Sequence, residues 1–162
     1  MTGDTQFVTL GVNEEVFAVP VGTVREILDM QRMFRLPEAP SYLAGLIDVR
    51  GRPVPAIDLR VKLGLPATAA TQSTRILVLD IPLGERLLTI GLIADRVFEV
   101  VSFTEAEMEL PPDIGLSWRS DYIKGVTRRG GGFVIVFDLA RLFSSSEAVF
   151  IGKAATQATE AA

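Results

Sequence analysis

The sequence predicts a mainly β protein made of two small five-stranded barrels related by internal duplication, with short helices between strands. Three observations point there. The segment YLAGLIDVRGRPVPAIDLRVKLG at 42–64 recurs 80 positions later as YIKGVTRRGGGFVIVFDLARLFS. Adding 80 carries Tyr42 to Tyr122, Gly45 to Gly125, Gly51 to Gly131, Val54 to Val134, Asp58 to Asp138 and Leu59 to Leu139, with no gap. Apolar runs such as Ile76 to Leu79 and Phe133 to Phe137 are strand-sized and are separated by glycine, proline or polar turns. Closing such strands into barrels removes exposed edges that would otherwise pair between molecules.

The repeat reaches further upstream, because adding 73 carries Val24, Glu26, Ile27 and Leu28 of VREIL to Val97, Glu99, Val100 and Val101 of VFEVV. Leu36-Pro37 and Leu110-Pro111 follow in the two halves. The copies are placed near 6–65 and 74–145, as lobes of one domain over 1–145, and 146–162 is read as a tail that begins as a short helix and then frays.

Taken in order, Gln6 to Val12 and Val16 to Val21 are predicted strands around Asn13-Glu14-Glu15, forming a hairpin. Thr23-Val24-Arg25-Glu26 matches a capping box and predicts a short helix through Leu28. Met33 to Leu36 is extended, since Pro37 and Pro40 forbid a long helix there. Leu46 to Arg50 and Val54 to Ile57 are strands around the Gly51-Arg52-Pro53 turn, with Pro53 and Pro55 marking an edge or bulged strand. Asp58 is placed to cap Leu59 to Leu63, and Pro66 to Thr74 connects the copies. The second copy repeats this order and ends with Asp138 capping Leu139 to Phe143.

Composition narrows the function. The 162 residues are 48% hydrophobic, enough for a sizeable core and incompatible with general disorder. No apolar stretch approaches the ~20 residues of a membrane helix, so direct membrane insertion is not expected. An N-terminus without a basic region or apolar core, and a chain without cysteine, point to the cytoplasm. Net charge −4 argues against an extended phosphate-binding surface, hence against nucleic acid as a partner. With neither His nor Cys, the chain lacks an imidazole base, a thiol nucleophile and the usual zinc ligands, and no cofactor or metal is expected.

Candidate chemistry is therefore sparse. Asp48, Asp58, Asp80, Asp95 and Asp138 flank apolar runs, and a carboxylate-based hydrolase using Asp48, Asp80 or Asp95 is the rival from another functional class. Capping explains Asp58 and Asp138 better, because they occupy equivalent repeat positions, and Gly45 and Gly125 likewise mark backbone that needs positive φ or close approach. Gly130-Gly131-Gly132 lacks a phosphate-loop pattern and reads as a hairpin turn, while the lone Trp118 is ambiguous between core and surface. Duplication supplies a filter: what both copies share builds the lobe, and what only one has is free for function. Arg50 passes, since its counterpart is Gly130. A guanidinium beside a glycine turn suits an interface anchor, and a solvated charge or an ion pair with Glu26 is the alternative.

The runs VREIL, RLPEAPSYLAGLIDVRGRPVPAIDLRVKLGL, GLIADRV, VFEVV, PPD, YIKGV and FDLARL together resemble CheW-type chemotaxis coupling proteins over nearly the whole chain. The resemblance implies SH3-like barrels and a non-enzymatic adaptor that links the cytoplasmic tips of chemoreceptors to the regulatory domain of a chemotaxis histidine kinase, recruited to membrane-associated arrays. It further implies receptor binding by Arg50, with Val24 and Glu26 from the neighbouring motif, and assigns no kinase-contact residue. Asp48 stands where the family usually has Asn, and Pro53 where it is usually aliphatic. A relative serving a non-flagellar array, such as one controlling twitching motility, shares the same motifs.

Overall fold

Runs of Val, Ile, Leu, Phe and Thr, too short and too often interrupted for helices, form ten strands among the described residues: β1 Thr5–Val12, β2 Glu15–Pro20, β3 Val24–Asp29, β4 Leu43–Val49, β5 Arg52–Asp58, β6 Arg75–Leu83, β7 Arg86–Ala94, β8 Arg96–Phe103, β9 Ile123–Arg129 and β10 Gly132–Phe137. Two α-helices accompany them, α1 Leu59–Lys62 and α2 Ser145–Ala161. The computed structural model describes residues 5–109 and 122–161, with side chains up to 155 in α2. Leu110-Pro111, the PPD run and Trp118 lie outside the described residues.

The strands form two five-stranded sheets, ordered β8-β1-β2-β10-β9 and β3-β6-β7-β5-β4. This corrects the placement of one copy per barrel. Each barrel takes one two-stranded hairpin, β1–β2 or β6–β7, from one half of the sequence and its other three strands from the other half. The β1–β2 hairpin is gripped by β8, antiparallel, and by β10, which runs parallel to β2 at Val134↔Val16 through Val136↔Ala18. In the same way β6–β7 is gripped by β3 and by β5, with Ala56↔Gly91 through Asp58↔Ile93 parallel. Internal similarity shows which strands are equivalent but not which copy supplies a strand's neighbour.

The exchange explains the long apolar runs. β1 and β6 are buried over most of their length, because both faces of each hairpin meet protein. Phe7 and Phe103 stack at 4.3 Å in a cluster belonging to the first barrel, and Ile47, Val54, Ala56 and Ile76 cluster in the second. The largest cluster, including Leu10, Phe17, Leu77, Ile90 and Phe137, joins the two.

Equivalent positions occupy matching places. The segment after β3 closes its barrel through Phe34 and Leu46, each N–H donating to the other's carbonyl at 2.8 Å, and Glu109 and Val126 do the same at 2.8 Å after β8. Gly45 permits the first crossing, since a Cβ there would lie 2.7 Å from the Phe34 carbonyl oxygen, and the same atom at Gly125 would lie 3.2 Å from that of Glu109. Asp58 N–H donates to Tyr42 O at 2.7 Å, and Asp138 N–H to Tyr122 O at 2.8 Å.

Four local expectations change. VREIL is strand β3, not helix: β-branched Val24 and Ile27 pair against β6 in an alternating half-buried pattern, and the Thr23 hydroxyl donates back to Pro20 O at 2.6 Å instead of capping. β5 is not an edge strand, because it lies between β7 and β4. Its prolines are tolerated since Val49 and Arg52 close the turn as a hydrogen-bonding pair, so positions 53 and 55 face away from β4 and β7 joins only from Ala56. Asp58 does cap α1, accepting from Arg60 N at 3.0 Å and Val61 N at 3.4 Å, but Asp138 makes no side-chain cap. The Asp138 carboxylate turns to Arg141, 3.7 Å away, whose counterpart in the first copy is the uncharged Val61. Finally, the tail is not a short helix: α2 runs for 17 residues against β5 and β7, burying Ile151 and Ala154.

Candidate functional site

Arg50 sits at the tip of the β4–β5 hairpin. Val49 pairs with Arg52, leaving Arg50 and Gly51 as a two-residue turn with φ of +54° and +84°. Two left-handed residues in succession match the right-handed twist of the strands, which is why such turns favour glycine or asparagine. The equivalent turn of the second copy is Gly130-Gly131, with φ of +58° and +80°. One copy thus meets the geometry without strain, and the other holds an arginine there at a backbone cost of about 1–2 kcal/mol. The Asp48 carboxylate supports the turn by accepting from Gly51 N at 2.8 Å.

The side chain above this turn is 82% exposed, and its Nε lies 3.4 Å from the Glu26 carboxylate, itself 25% exposed on β3. An ion pair this open to solvent contributes under about 1 kcal/mol and does not account for a left-handed arginine. Val24, the third residue of the expected receptor set, is half-buried, packs against the core joining the barrels and does not line the groove beside Arg50. The structure thus brings Arg50 and Glu26 together and sets Val24 behind them.

Arg50 and Glu26 border a groove of ≈ 450 Å³, closed on other sides by Arg25, Arg52, Leu87 and the face of α2 carrying Ile151, Gly152 and Ala155. Its rim is cationic: Arg25, Arg50 and Arg52 outnumber Glu26, and Arg25 reaches Asp80 at 3.4 Å, where Thr89 Oγ1 also donates at 2.6 Å. The wall formed by α2 was not foreseeable from the tail, where Ala, Thr and Gly carry little apolar periodicity.

The other candidate aspartates are committed to structure. Asp95 accepts from Arg60 at 2.7 Å and from Asn13 N at 2.6 Å, so Asp48, Asp80 and Asp95 hold three separate places and share no reaction centre. Among the described residues no three acidic side chains gather into a metal site. Nor is any helix there long and apolar enough to cross a membrane.

One further charged cluster stands out. Lys62, only 6% exposed, places Nζ 2.9 Å from Glu147 Oε2 and 4.5, 5.2 and 5.4 Å from the ring centroids of Tyr42, Phe143 and Tyr122. Burial opposes ionisation of Glu147, but the Ser144 N–H, the Lys62 ammonium and the Tyr42 hydroxyl together hold its carboxyl down at about 2. Burial, aided by the facing Glu147 carboxylate, pushes the Tyr42 hydroxyl well above the usual phenol range. That hydroxyl is buried outside direct hydrogen-bonding geometry with any described group, so it faces the carboxylate more by field than by a formed bond. The filter that selects Arg50 also selects Lys62, whose counterpart is Leu142.

Apolar side chains also lie on the outer strands. Ile27 on β3 and Val100 on β8 are repeat equivalents at the sheet edges, 44% and 53% exposed, and Phe98 beside Val100 is 49% exposed, its ring lying over Gly11 with the Arg96 guanidinium 5.8 Å from its centroid.

A family model described as CheW-like domain matches residues 6–147. The chain is 30% identical over 142 residues to Chemotaxis protein CheW of Treponema pallidum (strain Nichols), covering 88% of this chain and 84% of that protein. It is 36% identical over 99 residues to Protein PilI of Pseudomonas aeruginosa, covering 59% of this chain and 53% of that one. Among solved structures it resembles the scaffolding protein TtCheW from Thermoanaerobacter tengcongensis, with a TM-score of 0.78, 26% identity, and coverage of 91% and 92% of the two chains.

Proposed function

The chain belongs to the CheW-like family, and from that premise we propose that it joins the cytoplasmic tips of chemoreceptors to the regulatory domain of a chemotaxis histidine kinase. It is a chemotaxis coupling adaptor and not an enzyme. The observation that carries the receptor half of the proposal is Arg50, an exposed guanidinium held in a left-handed turn that the other copy builds from glycine. A helical receptor tip lies along the Arg50 groove, offering the guanidinium a carboxylate or carbonyl acceptor, with Glu26 orienting the arginine. Val24 contributes by packing behind β3 and not by contact.

The kinase half rests on the apolar edges. Ile27, Phe98 and Val100 supply exposed apolar surface on outer strands, suited to docking a second barrel side by side. Kinase and receptor then occupy different surfaces of one adaptor at the same time.

The test is a titration of Arg50→Gly and Arg50→Ala against receptor fragments and the kinase regulatory domain in parallel. Both substitutions are expected to weaken receptor binding about 10-fold or more and to leave kinase binding unchanged. Unchanged receptor affinity, or equal loss for both partners, contradicts the assignment. The likeness to Protein PilI favours a second reading, in which the same surfaces serve a non-flagellar chemosensory array.

A further inference from the structure

We propose that α2 forms one wall of the Arg50 groove and that the Lys62–Glu147 ion pair positions that wall, so that both residues govern receptor affinity without touching the receptor. The inference rests on the reading of the groove as the receptor site. It concerns a helix most of which lies beyond the family match, which ends at residue 147.

The argument starts with Lys62. Its counterpart Leu142 is fully buried, so an apolar side chain satisfies this position in the fold, and the charge serves something else. The ammonium is surrounded by Tyr42, Tyr122 and Phe143, two of them equivalent residues from the two halves, and the carboxylate that meets it is Glu147. Glu147 belongs to the first turn of α2. It also closes a capping box, accepting from Ser144 N at 2.8 Å while its own N–H donates to Ser144 Oγ at 3.1 Å. One carboxylate thus starts the helix and ties that start to the end of α1.

The helix carries this anchor to the groove. Residues 147, 151 and 155 are spaced by four and share a face, so the line runs from Glu147 through buried Ile151 to Ala155 at the groove. At 1.5 Å per residue that is about 12 Å, within a rigid element. A shift at the anchored end therefore moves the wall opposite Arg50. Gly152 stands on this wall and also lines a neighbouring cleft with Ala148 and Val149, and a Cβ there would meet no atom within 4 Å beyond its own helix backbone, so a larger side chain has room at the groove's edge.

Three variants separate wall from anchor. Gly152→Leu adds bulk where there is room and improves helix propensity, so the fold is kept while the groove narrows. It is expected to weaken receptor-fragment binding about 10-fold or more, with kinase-domain binding and melting temperature unchanged. Glu147→Gln leaves a nearly buried ammonium without its counter-charge. It is expected to speed amide exchange in α2 and to weaken receptor binding several-fold. The double variant Lys62→Leu/Glu147→Gln removes both charges, gives the cage the residue found at its counterpart, and is expected to restore slow exchange and receptor affinity together. Arg50→Ala is measured in the same assay. If Arg50→Ala weakens receptor binding and Gly152→Leu does not, α2 is not the wall. If Gly152→Leu does and the Glu147 series leaves affinity unchanged, the anchor has no positioning role. If Arg50→Ala itself has no effect, the reading of the groove fails first.

Discussion

At the scale of single residues, the duplicated chain provides its own controls. Arg50→Gly copies the second repeat into the first, removing a left-handed side chain at the price of a looser unfolded chain, and is expected to raise stability by up to about 1 kcal/mol. A melting curve checks this, and a clear loss of stability would show that the Glu26 pair or the turn needs the guanidinium. Gly45→Ala and Gly125→Ala form a second matched pair. The first forces a Cβ to 2.7 Å from a backbone oxygen at φ +154°, the second to 3.2 Å at an ordinary φ. We expect about 2–3 kcal/mol lost at Gly45 and distinctly less at Gly125; equal losses in denaturant titrations would rule out close approach as the cause. The role of Arg50 was legible because glycine at its counterpart is visible in the sequence. Its φ was not, and the φ is what makes the arginine costly to keep.

At the scale of elements, local rules succeeded where the segment's own residues decide and failed where a partner strand decides. Asp58 caps because the next turn is helical, whereas Asp138 is drawn aside by Arg141, a charge its counterpart lacks. Thr23-Val24-Arg25-Glu26 has the composition of a helix start, yet pairing with β6 from Val24 to Asp29 supplies a ladder of backbone partners that suits β-branched Val24 and Ile27. The extent of α2 was hidden because its anchor, Lys62, lies 85 positions away from Glu147. That anchor has a pH signature. The Glu147 carboxyl, at about 2 instead of an ordinary 4.5, contributes stability that is fully present above about 4.5 and is lost as pH falls through about 2. Amide exchange in α2 should therefore be flat from pH 7 to about 5 after correction for intrinsic rates, then accelerate below about 4, and Glu147→Gln should abolish the step. A step that survives in Glu147→Gln would assign it to another carboxylate.

At the scale of the whole molecule, the sequence revealed the barrels and their equivalence but concealed the exchange of hairpins between them. The exchange has a consequence for folding: residues 1–73 alone contain β1 and β2 without β8 and β10, and β3 to β5 without β6 and β7. Neither half is expected to melt cooperatively as a monomer, and mixing the halves should restore a cooperative transition. A monomeric half that melts cooperatively would mean that each copy can close on itself. The interlock also makes one rigid body of the groove at Arg50 and the apolar edges at Ile27 and Val100, as an adaptor that holds two partners at once requires. The most direct test immobilises receptor fragments and measures retention of the kinase regulatory domain with and without the adaptor. The account predicts retention only when the adaptor is added, its loss with Arg50→Gly, and its loss with Val100→Ser while receptor binding persists. Retention of the kinase domain that is indifferent to the adaptor, or undiminished by both substitutions, would contradict it.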